Sequence, residues 1–391
     1  MKKVKFLQVV FSKYLLSIIL GVCLLTAACE KEPAGEEKYP SGDFIKSGDY
    51  LGDYWPTENW RTCSPGQVGM DENKLKELND EIVLMLKDSV AIHSLLITRK
   101  GYIVAEQYYS DEYSCDSIHR IYSCTKSFTS AAIGIAIHEG FIADVDQKIL
   151  DFFPDYEVEN PDPLKEEITI RDLLTMTAGL EWNEFEYSYS DLLNTINLWA
   201  VSEDQVKYVL DRPMAYTPGT VFEYSTGYSH LLSAIIWRST GMRTDLFVNE
   251  KIFTPLNITG YYWATDSSGI PFGGNGLRLK TRDMAKFGYL YLKSGQWGSG
   301  EVVPGEWVEE SVQPHIANRF VQGYYYGYQW WVRQNQYFAA VGYGGQWIFV
   351  IPELEMVVVY TGLLDQDDSW QTSAPERLLQ TYILPAITEG I

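Results

Sequence analysis

The sequence is short of basic residues, cysteine and histidine, and each shortage argues against a class of protein. Its 391 residues hold 31 Lys and Arg against 52 Asp and Glu, which gives a net charge of −21. Nucleic-acid-binding proteins gain affinity from cations that neutralise phosphates, so we predict no nucleic-acid partner. Repeats and low-complexity tracts are missing too, and 46% hydrophobic with 21% charged residues is ordinary for a globular protein.

Cysteine and histidine are too few and too scattered for a disulfide framework or a metal site. Besides Cys29, only Cys63, Cys115 and Cys124 remain beyond residue 28, and three cysteines cannot all pair with one another. The five histidines show no ligand spacing with one another or with cysteine. We therefore predict no bound metal and no cofactor, while the disulfide state of the three cysteines stays open.

The first 28 residues have the features of a secretory signal peptide. The basic, acid-free stretch MKKVKFLQVVFSK precedes the apolar run YLLSIILGVCLLTAA, which ends in small residues. Lys13 interrupts the apolar sequence, whereas a transmembrane helix needs about 20 unbroken apolar residues. The run stops at Cys29 in LLTAAC, which resembles the lipobox of a bacterial lipoprotein, although Thr26 replaces the usual aliphatic residue. We predict an exported, lipid-anchored protein of the bacterial cell envelope, periplasmic or surface-facing; plain secretion is the alternative.

Residues 29–54 are predicted to be an acidic flexible tether, because EKEPAGEEKYPSGD is rich in acids, contains Pro and Gly, and has little to bury. Residues 55–391 are predicted to form one domain with two lobes. No long linker divides this part of the sequence. The second lobe is expected to be mostly helical and to lie within about 141–280.

Strand signals cluster at the two ends of the domain. Residues 94–109 predict a hairpin around Lys100-Gly101, and 337–362 predict strands with a turn at Pro352-Glu353. Helices are predicted within 71–88 with Asp71 as N-cap, within 168–182 ending at Gly179, within 218–241 ending at Gly241, and within 281–297 and 374–387. This order predicts an α+β fold, in which N- and C-terminal strands share an antiparallel sheet flanked by helices.

A lysine stands at the start of a helix that is otherwise apolar. Residues 121–140, IYSCTKSFTSAAIGIAIHEG, predict a turn followed by a helix that is buried on every side and ends at Gly140. Lys126 follows Ser123 by three residues, so the two side chains can share one helical face. Burial lowers the pKa of a lysine, and a neutral amine beside a hydroxyl is a general base for it. The N–H groups at the helix start lie where an oxyanion would form.

Ser-x-x-Lys alone leaves a catalytic and a structural role equally open, because chance matches to two fixed positions are common. Further blocks favour catalysis. Ser-Cys-Thr-Lys-Ser at 123–127 resembles the nucleophile motif of the serine β-lactamase and penicillin-binding protein superfamily. ITIRDLLTMTAGLEW, PGTVFEYSTGYSHLLSAII, NGLRLKTRDMAKFGYLYLKSGQW and GYGGQWIFVIPELEMVVVY resemble its later segments, in order, over roughly 60–390. The details are most similar to class C-like esterases and 6-aminohexanoate-dimer hydrolases.

The resemblance implies a serine hydrolase that cleaves ester or amide bonds of small substrates through an acyl-enzyme on Ser123. It also implies that Lys126 is the base and that Tyr224 is the proton shuttle to the leaving group. Thr226 stands where the second motif usually has asparagine, and threonine lacks the two amide donors that hold a substrate carbonyl. Cys124, beside the nucleophile, is predicted to be a small buried residue.

The third motif of the superfamily, Lys-Thr/Ser-Gly, is missing from its strand. Lys293-Ser294-Gly295 has matching letters but closes a predicted helix, so we assign it, like His138-Glu139-Gly140, a structural role. The better candidate is Tyr343-Gly344-Gly345, where glycines allow close approach to the backbone. An N–H of Gly345 or Gln346 is predicted to form the oxyanion hole with that of Ser123. Taken alone, this stretch is typical of a bulge or tight turn.

Two alternative functions remain. One is a β-lactamase or D,D-peptidase acting on cell-wall peptides, against which Thr226 and the uncharged Tyr343 argue. The other is a catalytically silent, lipid-anchored binding protein. The aromatic stretches 185–191 and 323–331 are more typical of a surface loop and a packed strand than of cleft walls. If the first lines the cleft, Glu184, Glu186 or Asp191 would favour a cationic amine on the substrate. The oligomeric state stays open.

Overall fold

The computed structural model describes residues 43–366 and 369–389. The predicted signal peptide, the lipidation candidate Cys29 and the tether as far as residue 42 lie outside the described residues. Within them, no helix has both the length and the apolar character needed to cross a membrane.

An antiparallel sheet of eight strands forms the centre of the fold, in the order β2-β1-β13-β12-β11-β10-β9-β8. Its strands are β1 (Ile92–Arg99), β2 (Tyr102–Tyr108), β8 (Ile316–Ala317), β9 (Tyr325–Tyr326), β10 (Trp331–Arg333), β11 (Tyr337–Gly342), β12 (Gln346–Ile351) and β13 (Met356–Gly362). A smaller sheet has the order β3-β5-β4, from β3 (His119–Arg120), β4 (Tyr262–Trp263) and β5 (Leu277–Leu279). A hairpin joins β6 (Gln296–Trp297) and β7 (Gly300–Glu301).

Helices cover the sheet, and they are the main regular elements of the chain between β3 and β8. They are α1 (Glu72–Lys87), α2 (Thr125–His138), α3 (Ile170–Leu174), α4 (Thr195–Ala200), α5 (Gln205–Leu210), α6 (Thr226–Thr240), α7 (Thr244–Val248), α8 (Thr281–Leu292), α9 (Gly305–Ser311), α10 (Ser369–Thr372) and α11 (Ala374–Leu378).

The core lies between the sheet and helices α2, α6 and α8. β1 and β13 are buried along nearly their whole lengths, so their apolar residues form a continuous run rather than an alternating pattern. α8 lies against β13 and β12 because Gly288 has no side chain; a Cβ there would come 2.7 Å from a methyl of Val357. On its other side, Phe287 of α8 stacks on Phe128 of α2 with ring centroids 3.7 Å apart. α2 is thereby held at a fixed place over the sheet.

The predicted α+β architecture is confirmed, including the sheet shared by the N- and C-terminal strands. The hairpin turn at Lys100-Gly101 is also confirmed, with both residues in the left-handed region (φ 50° and 83°). Asp71 caps α1 by accepting from the Asn73 amide at 2.8 Å, and Gly241 ends α6 with φ 71°.

The helix predicted to end at Gly179 is shorter than expected, because α3 ends at Leu174. Met176 adopts φ 61°, which stops a right-handed helix. The carbonyl of Met176 accepts the N–H of Glu223 at 2.8 Å, so the chain leaves the helix to meet the segment before α6. The prediction was wrong here because a contact distant in sequence overrides the local pattern.

Residues 43–54, the described end of the predicted tether, lie against β2. Phe44 is buried, and the rings of Tyr50 and Tyr54 meet the ring of Tyr102 edge-on, with centroids 5.1 and 4.8 Å apart. The tether prediction is therefore wrong for residues 43–54, because their aromatic side chains bury apolar surface against the domain.

Candidate active site

Ser123 lies in a short 3₁₀ turn, Tyr122–Cys124, that leads directly into α2. Tyr122 adopts φ 46°, a left-handed conformation that costs a non-glycine residue about 1–3 kcal/mol. Its ring is fixed from two sides, by the guanidinium of Arg120 at 4.5 Å and by the ring of Tyr343 at 5.3 Å. This strained turn sets the position of Ser123 at the start of the helix.

Lys126 lies one turn further along α2 and is 1% exposed. Its Nζ is 3.1 Å from Ser123 Oγ, 3.0 Å from Thr226 Oγ1 and 3.0 Å from the carbonyl oxygen of Gly274. Burial lowers the pKa of Lys126 from 10.5 to about 8, against the opposing effect of the Glu184 carboxylate. A substantial fraction of this amine is therefore neutral near pH 8 while it contacts the serine hydroxyl.

Tyr224 approaches the same hydroxyl from the segment before α6. An interaction with the Ser123 side chain lowers the Tyr224 pKa against the larger effect of burial, and Lys126 Nζ lies 4.8 Å from the centroid of the Tyr224 ring. Phe185 stacks on the ring with centroids 4.6 Å apart and planes 9° from parallel. Burial raises the pKa of Tyr224 well above its ordinary value of 10, so the phenol keeps its proton at neutral pH and can donate it.

A cavity of about 320 Å³ opens beside Ser123. Its lining is mixed: the aromatic and aliphatic side chains lie beside amide, hydroxyl and charged groups. The lining residues are Arg120, Tyr122, Ser123, Glu184, Tyr189, Ile196, Asn197, Trp199, Ala200, Thr226, Asn275 and Tyr343. Such a space accommodates a small organic substrate with its reacting carbonyl at the serine.

The Glu184 carboxylate is buried at the base of this cavity and accepts four hydrogen bonds. Its Oε2 accepts from Trp182 Nε1 at 2.9 Å and from the Thr226 amide at 2.8 Å. Its Oε1 accepts from the hydroxyls of Thr226 at 2.7 Å and Tyr189 at 3.1 Å. These contacts contradict the hypothesis that Glu184 would bind a substrate amine, because both oxygens are already engaged.

The other acids of the loop are engaged outside the cavity. Glu186 is exposed and accepts from Asn183 Nδ2 at 3.1 Å, while Asp191 accepts from the Leu193 amide at 2.8 Å. From this loop it is Tyr189 that lines the cavity. Residues 323–331 mainly pack in the core, as the structural interpretation predicted: Tyr324, Tyr326, Tyr328, Trp330 and Trp331 are all buried.

The turn between β11 and β12 lies next to the nucleophile through Gly342. A Cβ at Gly342 would come 2.4 Å from the carbonyl oxygen of Ile121 and 3.1 Å from the amide nitrogen of Ser123. Only glycine therefore lets β11 approach the nucleophile turn this closely. The contact of Gly342 with the nucleophile turn was not predicted from the sequence, although this residue directly precedes Tyr343-Gly344-Gly345.

The role of a Gly345 or Gln346 backbone N–H in the oxyanion hole stays a prediction, and the side-chain directions of these two residues lead elsewhere. A Cβ at Gly345 would meet a methyl of Leu364 at 2.6 Å, on the side of the C-terminal segment. The Gln346 amide group closes the turn, with Nε2 donating to the carbonyls of Tyr343 at 3.1 Å and Gly362 at 2.7 Å. The structure thus brings Gly342 to the Ser123 amide and gives the Gln346 side chain a structural role.

The residues assigned structural roles from sequence lie as predicted. Lys293 follows the last residue of α8, and its Nζ pairs with Glu355 Oε1 at 3.2 Å on the surface. His138 is the last residue of α2. Cys124 is fully buried, and its Sγ donates to the carbonyl of Gln346 at 3.5 Å. Burial raises the pKa of the Cys124 thiol, so it stays protonated and unreactive.

A glycine doublet that the sequence analysis missed supplies a contact to Lys126. A Cβ at Gly273 would lie 2.0 Å from the carbonyl oxygen of Ser229, and one at Gly274 would lie 2.9 Å from Thr226 Cγ2. The doublet lets its segment pass between α2 and α6 and present the Gly274 carbonyl to the amine. Two adjacent glycines in PFGGNG were the available signal. Among residues 43–366 and 369–389, no group of three or more His, Cys, Asp or Glu side chains is arranged to hold a metal ion.

Comparison with known proteins agrees with the resemblance seen in the sequence. The Beta-lactamase family model matches residues 87–378. The chain is 24% identical over 288 residues to 6-aminohexanoate-dimer hydrolase of Paenarthrobacter ureafaciens, covering 68% of this chain and 71% of that protein. It is 26% identical over 215 residues to a putative D-alanyl-D-alanine carboxypeptidase of Salmonella agona (strain SL483), covering 50% and 49%.

A solved structure shares the fold over most of the chain. The putative 6-aminohexanoate-dimer hydrolase from Bacillus anthracis superposes with a TM-score of 0.70 at 22% identity, covering 88% of this chain and 93% of that one. The family model matches residues 87–378, which include the buried helix α2 and the eight strands of the large sheet. The chain therefore belongs to the Beta-lactamase family.

Proposed function

We propose that this protein is a serine hydrolase that cleaves ester or amide bonds of small substrates through an acyl-enzyme on Ser123. The observation that carries the proposal is the buried amine of Lys126, 3.1 Å from the Ser123 hydroxyl at the edge of a 320 Å³ cavity. The relative named as a 6-aminohexanoate-dimer hydrolase supports a hydrolase acting on small molecules.

In the acylation step, Ser123 Oγ attacks the acyl carbon while the neutral amine of Lys126 takes its proton. The carbonyl oxygen becomes an oxyanion, which the Ser123 amide and a backbone N–H of the 343–346 turn stabilise. The bond to the leaving group then breaks, and the departing alcohol or amine takes a proton from Tyr224. The Lys126 ammonium returns a proton to Tyr224, so both groups end the step as they began.

In the deacylation step, water takes the place of the leaving group and attacks the acyl carbon. Lys126 takes a proton from the attacking water, the bond to Ser123 Oγ breaks, and the Lys126 ammonium returns that proton to the serine oxygen. The product is a carboxylic acid. The raised pKa of Tyr224 keeps the phenol protonated until it donates to the leaving group, and the lowered pKa of Lys126 lets the amine accept a proton from serine or water and then return it.

The experiment that tests the proposal combines p-nitrophenyl acyl esters with a fluorophosphonate label. The wild type should release p-nitrophenol and gain the label on the Ser123 peptide. Ser123→Ala should lose the label and about 10³-fold or more in kcat. Cys124→Ala, which removes the adjacent buried thiol, is the matched control and should keep both. Turnover that survives in Ser123→Ala contradicts the proposal, and a wild type that takes no label from any activated acyl compound favours the silent binding protein.

A second candidate function is a β-lactamase or D,D-peptidase activity on cell-wall peptides. The observation that favours it is Arg120, the basic residue of the cavity lining, which supplies the positive charge that Tyr343 lacks. In this case nitrocefin or a peptide ending in D-Ala-D-Ala should outcompete the esters. Arg120→Gln should then raise KM for carboxylate-bearing substrates and leave KM for neutral esters unchanged. A dominant ester activity without any dependence on Arg120 favours the first candidate.

We further propose that the enzyme is attached to the bacterial cell envelope through lipidated Cys29, on the support of the signal-like sequence before it. Cys29→Ser should move the protein from the membrane fraction to the soluble fraction. An unchanged distribution contradicts the anchor.

A further inference from the structure

The buried carboxylate of Glu184 has no step in the mechanism above, yet it lies one hydrogen bond away from Lys126. We propose, on the basis of the proposed function, that Glu184 is a positioning residue. It acts through the Thr226 hydroxyl to hold the lone pair of the Lys126 amine on Ser123.

The direction of each hydrogen bond around Glu184 follows from the chemistry of the donors. Trp182 Nε1 and the Thr226 amide can only donate, and both meet Oε2. Oε2 therefore carries no proton. Oε1 accepts from the Thr226 hydroxyl at 2.7 Å and from the Tyr189 hydroxyl at 3.1 Å, so the Thr226 hydroxyl points its proton at Glu184.

That orientation determines what Thr226 can do for Lys126. Its hydroxyl proton is committed to Glu184, so its oxygen must accept from Lys126 Nζ at 3.0 Å. The Gly274 carbonyl, also at 3.0 Å, is an acceptor as well. A neutral amine has two N–H bonds, and these two acceptors use both. In the neutral amine the remaining direction at the nitrogen is the lone pair, and it faces Ser123 Oγ at 3.1 Å, the contact to which the ammonium form donates. The network therefore aligns the base with the proton that it must remove.

The same carboxylate acts on Lys126 through its charge. Glu184 is the largest influence that raises the pKa of Lys126 against the effect of burial. The charge of Glu184 therefore keeps the amine protonated to a higher pH than burial alone would allow. Without it, the amine would lose its proton at lower pH, but the lone pair would no longer be directed.

Glu184→Gln tests both effects with little change of shape. The two fixed donors, Trp182 and the Thr226 amide, require the Gln oxygen, so the Gln NH₂ faces the Thr226 hydroxyl. That hydroxyl then turns its proton towards Lys126 and competes with Ser123 for the lone pair. We expect kcat for p-nitrophenyl ester hydrolysis to fall about 10²-fold. We also expect the acid limb of the pH profile of kcat/KM to move about one unit or more to lower pH.

The control is Glu186→Gln, an exposed acid two residues away, which should keep the wild-type kcat and pH profile. Thr226→Val removes the linking hydroxyl and should lower kcat to a similar degree, while Thr226→Ser should restore it to within about threefold. The double variant Glu184→Gln/Thr226→Val should lose no more than Thr226→Val alone, because the two residues act as one chain. This non-additivity and the displaced pH limb separate positioning from a merely structural role.

The outcomes distinguish this inference from the proposed function. If the wild type hydrolyses esters through a labelled Ser123 while Glu184→Gln keeps the wild-type kcat and pH profile, the inference fails and the proposed function stands. The inference is also overturned if kcat falls in Glu184→Gln while the acid limb of its pH profile stays in place and its loss adds fully to that of Thr226→Val. If the wild type neither turns over esters nor takes the label at Ser123, both fail. Fluorophosphonate labelling rates on folded Glu184→Gln, checked by circular dichroism, report acylation even if turnover is too slow to follow.

Discussion

Replacing Lys126 with methionine should change the pH dependence of folding in a way that measures its buried amine. The pKa of Lys126 falls from 10.5 to about 8 on burial. Between these values the unfolded chain holds a proton that the folded chain has lost, so the free energy of unfolding rises with pH through this window. The penalty for burying the charged amine is fully present below about pH 8 and is relieved as the pH approaches 10.5.

The magnitude follows from the same two values. At pH 7 the fall in pKa corresponds to about 3 kcal/mol, and by pH 10 about 2.5 kcal/mol of that penalty has disappeared. Lys126→Met removes the titrating group. The wild type should therefore gain about 2.5 kcal/mol of stability relative to Lys126→Met between pH 7 and pH 10. The comparison across pH cancels the constant cost of leaving the Gly274 and Thr226 oxygens without their donor.

The assay is urea unfolding of both proteins at the two pH values, followed by circular dichroism. Lys293→Met is the matched control, because this lysine is 30% exposed in a surface ion pair and should show a nearly constant difference from the wild type. A gap between wild type and Lys126→Met that stays within about 0.5 kcal/mol across the range would refute the depressed pKa. The assignment of Lys126 as the base would lose its physical support.

Three further results follow from the site geometry. Gly342→Ala should lower kcat for ester hydrolysis about 10²-fold or more, since its Cβ would displace β11 from the nucleophile turn. Gly300→Ala is the control, because a Cβ there would meet only the Trp297 carbonyl oxygen, at 4.0 Å. Equal losses in the two variants would contradict the prediction. Phe185→Ala removes the stack on the proposed shuttle tyrosine and should reduce kcat about tenfold, whereas Tyr187→Ala in the same loop, 39% exposed, should not. In the wild type, kcat/KM should rise with pH to a plateau above about pH 8 as Lys126 loses its proton; a flat profile from pH 6 to 9 would oppose this.

What the sequence predicted well depends on contacts between near neighbours. Ser123 and Lys126 are three residues apart on one helix, so their meeting follows from helical geometry alone. Asp71 at the start of α1 and the Lys100-Gly101 turn are equally local. Tyr224 was assigned from the family resemblance, because no local rule relates it to a serine about a hundred positions earlier.

Most parts of the site that the sequence did not predict are long-range contacts. Glu184, Gly274 and Gly342 reach the nucleophile helix from three separate segments, and no spacing rule connects them to it. For the same reason the sequence predicted a longer helix α3 than the structure has. The left-handed Met176 beyond its end is held by a backbone hydrogen bond from Glu223, which is far away in the sequence. Arg120, although adjacent to the nucleophile turn, gave no signal because a single exposed arginine is common on any surface.

The pairing of β1 with β13 has a consequence for synthesis. Leu96 and Val359 are register partners midway along these two strands, so β1 has no permanent neighbour on that side until the ribosome has added β13. The nascent chain contains Ser123 and Lys126 long before it contains β13, the strand that joins β1 to the rest of the large sheet. Any fragment released before residue 356 should therefore be an unfolded, aggregation-prone polypeptide rather than a smaller enzyme.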